Sequence, residues 1–131
     1  MNFVIENTNP KGKKTSDCVI RALARAMGYD YYRVYKDLYE MSLKTGYYLS
    51  DKKNYEKLLG VYGYIKVKQP VKRDNTKYVV KEFNQICGAD ALITINHHIT
   101  YYNAAENSIY DLSSFPNAVI RNYFVKEGEI I

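Results

Sequence analysis

The stretch TSDCVIRALARAMG, residues 15–28, organises the rest of this chain. It predicts a helix with a defined start and end, because Thr15, Ser16 and Asp17 are all good N-cap residues and Gly28 suits the left-handed position that follows a helix. Arg21 and Arg25 interrupt its apolar surface along one edge only. We therefore expect a helix that is buried around most of its circumference by side chains at helical spacing, namely Val19, Ile20, Ala22, Leu23, Ala24, Ala26 and Met27.

Cys18 lies in the first turn of this predicted helix. Unpaired backbone N–H groups and the positive end of the helix dipole favour a thiolate at that position. A free cysteine is also often no more than a small buried apolar residue, and the adjacent carboxylate of Asp17 would raise the pKa of the thiol. A catalytic role for Cys18 therefore requires a histidine from elsewhere in the chain.

The composition is that of one globular domain, which we predict to span residues 1–131. Hydrophobic residues make up 47% and charged residues 25%, and the net charge is +5. The lysines and arginines are scattered, and most of the 15 tyrosines fall at predicted core positions, so the pattern does not favour nucleic-acid binding. We expect a peptide or protein as the partner, and the sequence leaves the oligomeric state open.

The sequence has no basic-then-apolar start and no apolar run of about 18 residues, so we expect a cytoplasmic protein that does not enter a membrane. Cys18 and Cys87 are too few for a disulfide framework, and we expect Cys87 to be a core residue. A zinc site made from both cysteines, His97 and His98 has suitable ligand types. However, it lacks paired cysteine spacing, and neighbouring strand histidines diverge. The sequence therefore predicts neither a metal nor a cofactor.

Along the chain, helices come first and strands follow. Beyond the first helix we predict a helix over about 31–44 that Asp30 caps, with its inward face formed by Tyr31, Val34, Tyr35, Leu38 and Met41 or Ser42. Two more helices are predicted over about 51–60, capped by Ser50 or Asp51, and over about 75–87, capped by Asn75 or Thr76. The segment YGYIKVKQPV reads as an edge strand, followed by strands at ALITIN, HITYYN and SIYDL and a last strand over 119–126. The residues FVI near the start are also strand-like. This order predicts an α+β fold, in which the cysteine-bearing helix packs on a C-terminal antiparallel sheet.

His98 and Asp111 fall on neighbouring predicted strands. If residues 104–107 form a four-residue loop, Thr100 lies opposite Asp111, and a slip by two residues would instead pair His98 with Asp111 directly. In either register His98 and Asp111 share a face of the sheet, whereas His97 points to the other. A carboxylate would then lie close enough to orient the imidazole ring.

The order Cys, His and Asp on these elements resembles the papain-like cysteine peptidase superfamily. The closer likeness is to small bacterial and phage members with a DC-x-x-RA helix start, here DCVIRA at 17–22, a His-led strand and a strand ending in Tyr-Asp, here IYD at 109–111. The chain is also similar, more distantly, to peptidase domains that cleave bacteriocin leader peptides. The resemblance implies a papain-like fold and a cysteine hydrolase, with Cys18 as nucleophile, His98 as general base and then acid, and Asp111 orienting His98.

Two positions depart from that family pattern. Many members have a glutamine six residues before the cysteine as an oxyanion donor, and this chain has Gly12 there. Asn9, or else Asn7, is then our candidate donor beside the backbone N–H of Cys18. The sequence LSSF follows Tyr-Asp in place of the aromatic and acidic stretch of relatives.

The alternative to a hydrolase is a catalytically inactive papain-like binding module, such as an inhibitor or host-factor binder from a phage or mobile element.

Overall fold

The computed structural model describes residues 1–129. Over these residues the chain forms a mixed helix and sheet structure, which agrees with the predicted α+β class. The helices are α1 (Cys18–Met27), α2 (Tyr31–Thr45), α3 (Lys52–Val61) and one 3-10 helix (Val80–Gln85). The strands are β1 (Asn2–Ile5), β2 (Tyr64–Val67), β3 (Ala91–Ile95), β4 (His98–Asn103), β5 (Ser108–Asp111) and β6 (Asn122–Lys126). A single domain over 1–131 stays a prediction, and its last two residues lie outside the described ones.

The described strands form one sheet in the order β1-β5-β4-β3-β6-β2. Strand β2 lies at one end and pairs with β6, which confirms the predicted edge strand. The prediction of a purely antiparallel, C-terminal sheet is wrong at the other end, where β1 pairs with β5 in parallel and Phe3 lies opposite Ile109. A parallel neighbour so distant in sequence leaves no local turn signal, because a long connection joins the two strands.

The two faces of the sheet pack against different parts of the chain. Leu92 on β3 belongs to a core cluster with α1, α2 and α3, whereas its neighbour Ile93 belongs to a second cluster with the 3-10 helix. Alternating side chains of a strand point to opposite faces, so each cluster covers one face. In the first cluster α1 packs on β4, and Leu23 of α1 is fully buried. This packing brings the start of α1 close to the start of β4.

The first three predicted helices are confirmed, and side-chain caps begin the second and the third. Asp30 and Asp51 accept hydrogen bonds from the backbone N–H groups of Tyr32 and Lys53, at 3.0 and 2.8 Å. Gly28 ends α1 at a φ of 65°, in the left-handed region. The prediction that Tyr35 faces inward is wrong, since Tyr35 is exposed on α2 together with Tyr32 and Tyr39.

The predicted fourth helix over 75–87 is wrong. Asn75 has a φ of 69°, and Val79 is extended and forms an isolated bridge with Val119, so a helix begins only at Val80 and is a short 3-10 helix. The β-branched Val79 fits this extended conformation better than a helix. The bridge also explains why the last strand, predicted over 119–126, begins only at Asn122.

Candidate functional site

Cys18 is the first residue of α1, directly after the N-cap residue Asp17. The apolar side chains of α1 bury the helix against β4, which fixes the direction of its axis and the place of its first turn. Cys18 itself is only half-buried, and its side chain lines a cleft of about 670 Å³. The thiol is therefore held at a positively polarised helix end and remains accessible from the cleft.

His98 begins β4 and Asp111 ends β5. Tyr101 lies opposite Tyr110 and Asn103 opposite Ser108, which confirms the register predicted from a four-residue loop over 104–107. The same register continued by one pair places Thr100 opposite Asp111, so His98 lies one diagonal away on the same face. The Nε2 atom of His98 lies 2.7 Å from Oδ2 of Asp111. His98, and not its neighbour His97, therefore pairs with the carboxylate.

Cys18 and His98 line the same cleft. Because Nε2 of His98 bonds Asp111, Nδ1 is the ring nitrogen left for the sulfur. Burial raises the pKa of the Cys18 thiol, but hydrogen bonding from His98 and from the backbone of Ile99 outweighs burial and leaves the pKa lowered. The local environment thus favours the thiolate, which is the nucleophilic form of a cysteine.

The pKa of His98 shifts upward, opposite to that of Cys18. Burial lowers its pKa, yet hydrogen bonds with Asp111 and Cys18 outweigh burial and raise the pKa to about 9. At neutral pH the imidazole is then protonated while the thiol is biased toward its anion. These shifts favour a thiolate next to an imidazolium ion, which would be an activated nucleophile with its acid already in place.

Arg21 connects Asp111 to α1, a role that sequence reasoning missed by assigning Arg21 to the edge of the helix. The Arg21 side chain is 8% exposed, and its Nε and Nη1 atoms lie 2.7 Å from Oδ1 of Asp17 and 3.1 Å from Oδ1 of Asp111. Asp111 thus binds Arg21 through one oxygen and His98 through the other. The spacing of Asp17 and Arg21, four residues apart on one helix, was the signal that could have indicated this pair.

The pKa of Asp111 is lowered by the groups that surround its carboxylate. Burial raises it, but hydrogen bonding from His98 and the positive charge of the ring outweigh burial and lower the pKa to about 2. Asp111 is therefore an anion throughout the neutral range. A fixed anion can hold the ring of His98 in one orientation and stabilise its positive charge.

Asp17 does not act on the thiol as expected. Its side chain makes no cap hydrogen bond, and its Oδ2 atom accepts from the Tyr31 hydroxyl at 2.8 Å and from Nδ2 of Asn9 at 3.0 Å. Burial raises the pKa of Asp17, but hydrogen bonds from Arg21 and these two partners outweigh burial and lower the pKa. The charge of Asp17 is thus compensated by Arg21, and Asp17 links the start of α1 to α2 and the N-terminal loop.

The predicted oxyanion donors are engaged outside the cleft. The amide nitrogen of Asn9 donates to Asp17, and its Oδ1 accepts from the backbone N–H of Lys11 at 2.9 Å. The amide nitrogen of Asn7 donates to the carbonyl of Lys13 at 3.0 Å. Neither asparagine lines the cleft that holds Cys18 and His98. These contacts indicate that Asn9 and Asn7 shape the loop before α1, and they give no support to an oxyanion role.

Cys87 lies apart from this site. It packs half-buried against the second core cluster, and its Sγ atom donates to the carbonyl of Ala89 at 3.4 Å. Burial raises the pKa of the Cys87 thiol. Within residues 1–129, no group of three or more His, Cys, Asp or Glu side chains is arranged to hold a metal ion. The two cysteines are therefore in opposite electrostatic situations.

None of the helices in the described part of the chain is both long and apolar enough to cross a membrane. Comparison of the chain with protein-family models, with curated proteins and with solved structures finds no match. Membership of the papain-like superfamily therefore stays a prediction. The described residues form an α+β protein in which a cysteine at a helix N-terminus and a histidine–aspartate pair lie together at one cleft.

Proposed function

We propose that this chain is a papain-like cysteine hydrolase that cleaves a peptide or amide bond through an acyl-thioester on Cys18. The observation that carries the proposal is the 2.7 Å contact between His98 and Asp111 beside a thiol whose pKa is lowered. A buried cysteine with a purely structural role needs neither a histidine partner nor a carboxylate behind that histidine. Perturbed pKa values that come together in a cleft are typical of catalytic sites.

In the first half of the reaction, the Cys18 thiolate attacks the carbonyl carbon of the substrate. A C–S bond forms, and the electron pair of the C=O bond moves to oxygen. When the tetrahedral intermediate collapses, the C–N bond breaks and the imidazolium of His98 gives its proton to the leaving amine. The raised pKa of His98 keeps that proton available at neutral pH.

In the second half, water replaces the amine. Neutral His98 removes a proton from the water as it attacks the thioester carbonyl, and the C–S bond then breaks to release the acid and the thiolate. Asp111 keeps the ring of His98 oriented in both halves of the reaction. Arg21 is a positioning residue, because it binds the other carboxylate oxygen of Asp111. The substrate is a peptide or protein, whose sequence preference depends on the cleft walls.

The experiment uses p-nitrophenyl acetate, a small activated ester that reports acyl transfer without a matched peptide. We expect a rapid release of one equivalent of p-nitrophenolate per chain, with the acetyl group recovered on Cys18 by mass spectrometry. Cys87→Ala is the matched control and should keep this burst. Cys18→Ala should abolish it, and His98→Gln should slow it by about 100-fold or more, as the loss of a general acid–base group does.

A different result would favour the inactive binding module. If the burst is absent in the unmodified protein, or if it persists in Cys18→Ala, acyl transfer at Cys18 is refuted. Equal burst rates in the unmodified protein and in His98→Gln would refute the catalytic pairing of Cys18 with His98. Cys18 would then react only as an accessible thiol.

A further inference from the structure

Attack by Cys18 places a negative charge on the carbonyl oxygen of the substrate, and that charge needs hydrogen-bond donors. One donor is at hand, because the backbone N–H of Cys18 lies in the first turn of α1 and has no partner within the helix. The side-chain donors expected from the sequence, Asn9 and Asn7, bond other groups outside the cleft. A second donor must therefore come from another element.

Tyr55 has the required properties. It lies one turn into α3, belongs to the same core cluster as α1, and lines the cleft together with Cys18 and His98. The residue as a whole is only 8% exposed, and its hydroxyl makes no hydrogen bond within residues 1–129. A side chain that is more than nine-tenths buried is held in place by packing, and a hydroxyl without a protein partner at the edge of a cleft offers a free donor.

The other polar side chains that line the cleft meet these conditions less well. Thr94 is buried, but its hydroxyl bonds Oδ1 of Asn122 at 2.6 Å. Ser50 and Asn122 are only partly buried, so packing fixes their positions less firmly. The remaining polar side chains are exposed, and solvent competes for the donors of Ser16, Lys52, Asn96, His97 and Arg121. Preorganised donors in a water-poor site stabilise a transition state more than mobile, solvated ones do.

The phenol also keeps its proton where the reaction needs it. Burial, and then the negative charges of Glu56, the Cys18 thiolate and Asp51, raise the pKa of Tyr55 to about 12. At neutral pH Tyr55 is therefore a neutral donor and not a phenolate. The contribution of Cys18 is consistent with the cleft that both residues line.

We infer that the hydroxyl of Tyr55 and the backbone N–H of Cys18 together bind the oxyanion of the tetrahedral intermediate, an inference that rests on the proposed hydrolase function. No proton is transferred in this step. The C–S bond forms, the C=O electron pair moves to oxygen, and the O–H of Tyr55 donates a hydrogen bond to that oxygen. When the C=O bond re-forms and the leaving group departs, the hydrogen bond weakens again.

The test compares two reactions of the same thiol. Acyl transfer from p-nitrophenyl acetate passes through an oxyanion, whereas alkylation by iodoacetamide is a direct displacement at carbon without one. Tyr55→Phe should slow the p-nitrophenolate burst by about 100- to 1,000-fold, as the loss of one oxyanion donor does, and should leave the iodoacetamide rate of Cys18 unchanged. Tyr64→Phe is the matched control, because Tyr64 is also 8% exposed in the same cluster but does not line this cleft.

The outcomes separate this inference from the function on which it rests. An unmodified protein without a burst overturns the proposed hydrolase, and the role of Tyr55 with it. A burst that Tyr55→Phe retains at full rate, or that Tyr64→Phe loses equally, overturns the role of Tyr55 alone. Because the hydroxyl has no protein partner, Tyr55→Phe should melt at the temperature of the unmodified protein, and a large loss of stability would show that the hydroxyl is structural.

Discussion

Arg21 gives the sharpest test of the structure away from the reacting atoms. Its side chain is 8% exposed, and it lies between the carboxylates of Asp17 and Asp111, each of which is 4% exposed. Arg21→Met keeps most of the length of the side chain and removes the charge. Two buried anions are then left without their shared cation, so the free energy of unfolding should fall by about 3–5 kcal/mol, the cost of breaking a buried ion pair.

Arg25→Met is the matched control, since Arg25 lies on the same helix one turn later. Its side chain is 43% exposed, and its Nε atom lies 3.6 Å from Oε1 of Glu6. An exposed pair of this kind contributes about 0–1 kcal/mol. In a chain of this length, 1 kcal/mol shifts the melting temperature by roughly 3–5 °C, so Arg21→Met should melt roughly 10–20 °C lower and Arg25→Met within about 5 °C of the unmodified protein.

The loss of stability in Arg21→Met should depend on pH in a definite direction. The hydrogen bond and charge of Arg21 help to lower the pKa of Asp17 in the folded state, so this contribution to stability is present above the unfolded value of about 3.9 and is lost as the pH falls below it. Without Arg21 this contribution shrinks. The difference in melting temperature between Arg21→Met and the unmodified protein should be large at pH 7 and should become smaller below about pH 4. Equal melting of the Arg21 and Arg25 variants at pH 7, measured by circular dichroism, would refute the buried network.

Three further predictions concern the site and its helix. Iodoacetamide should alkylate Cys18 at neutral pH much faster than Cys87, because the pKa of Cys18 is lowered and that of Cys87 is raised. Peptide mapping at a series of pH values measures both alkylation rates, and equal rates whose pH midpoints lie at about 8.5, the value of a free thiol, would contradict the prediction. Cys18→Ala should leave the melting temperature nearly unchanged, whereas Leu23→Ala, at a fully buried position, should cost about 2–5 kcal/mol; an equally early melt of both variants would make Cys18 a core residue. Asp111→Asn should bring the pKa of His98 down from about 9, since it removes the carboxylate that stabilises the imidazolium, and an unchanged NMR titration midpoint of the His98 ring protons would argue against the pair.

Features that depend on neighbouring residues could be predicted from the sequence. Gly28 ended α1, and Asp30 and Asp51 began the next two helices, because capping needs only a few consecutive residues. Asp17 occupies the N-cap position of α1, but its side chain bonds Arg21, Tyr31 and Asn9 instead of the helix backbone. The length of the loop over 104–107 fixed the register of β4 and β5, and with it the shared face of His98 and Asp111. Local rules failed at 75–87, where the bridge from Val79 to Val119 overrides a helical pattern.

Which distant residues meet depends on how the whole chain packs. Arg21 and Asp111 are 90 positions apart, and the parallel pairing of β1 with β5 joins opposite ends of the chain. Tyr55 and Cys18 come to one cleft because α1 and α3 share a core cluster. Such contacts follow from the simultaneous burial of several apolar faces, and no spacing within one segment encodes them. This is why the sequence indicated the cysteine, histidine and aspartate, while the burial of Arg21 and the unpartnered hydroxyl of Tyr55 emerged only from the packed molecule.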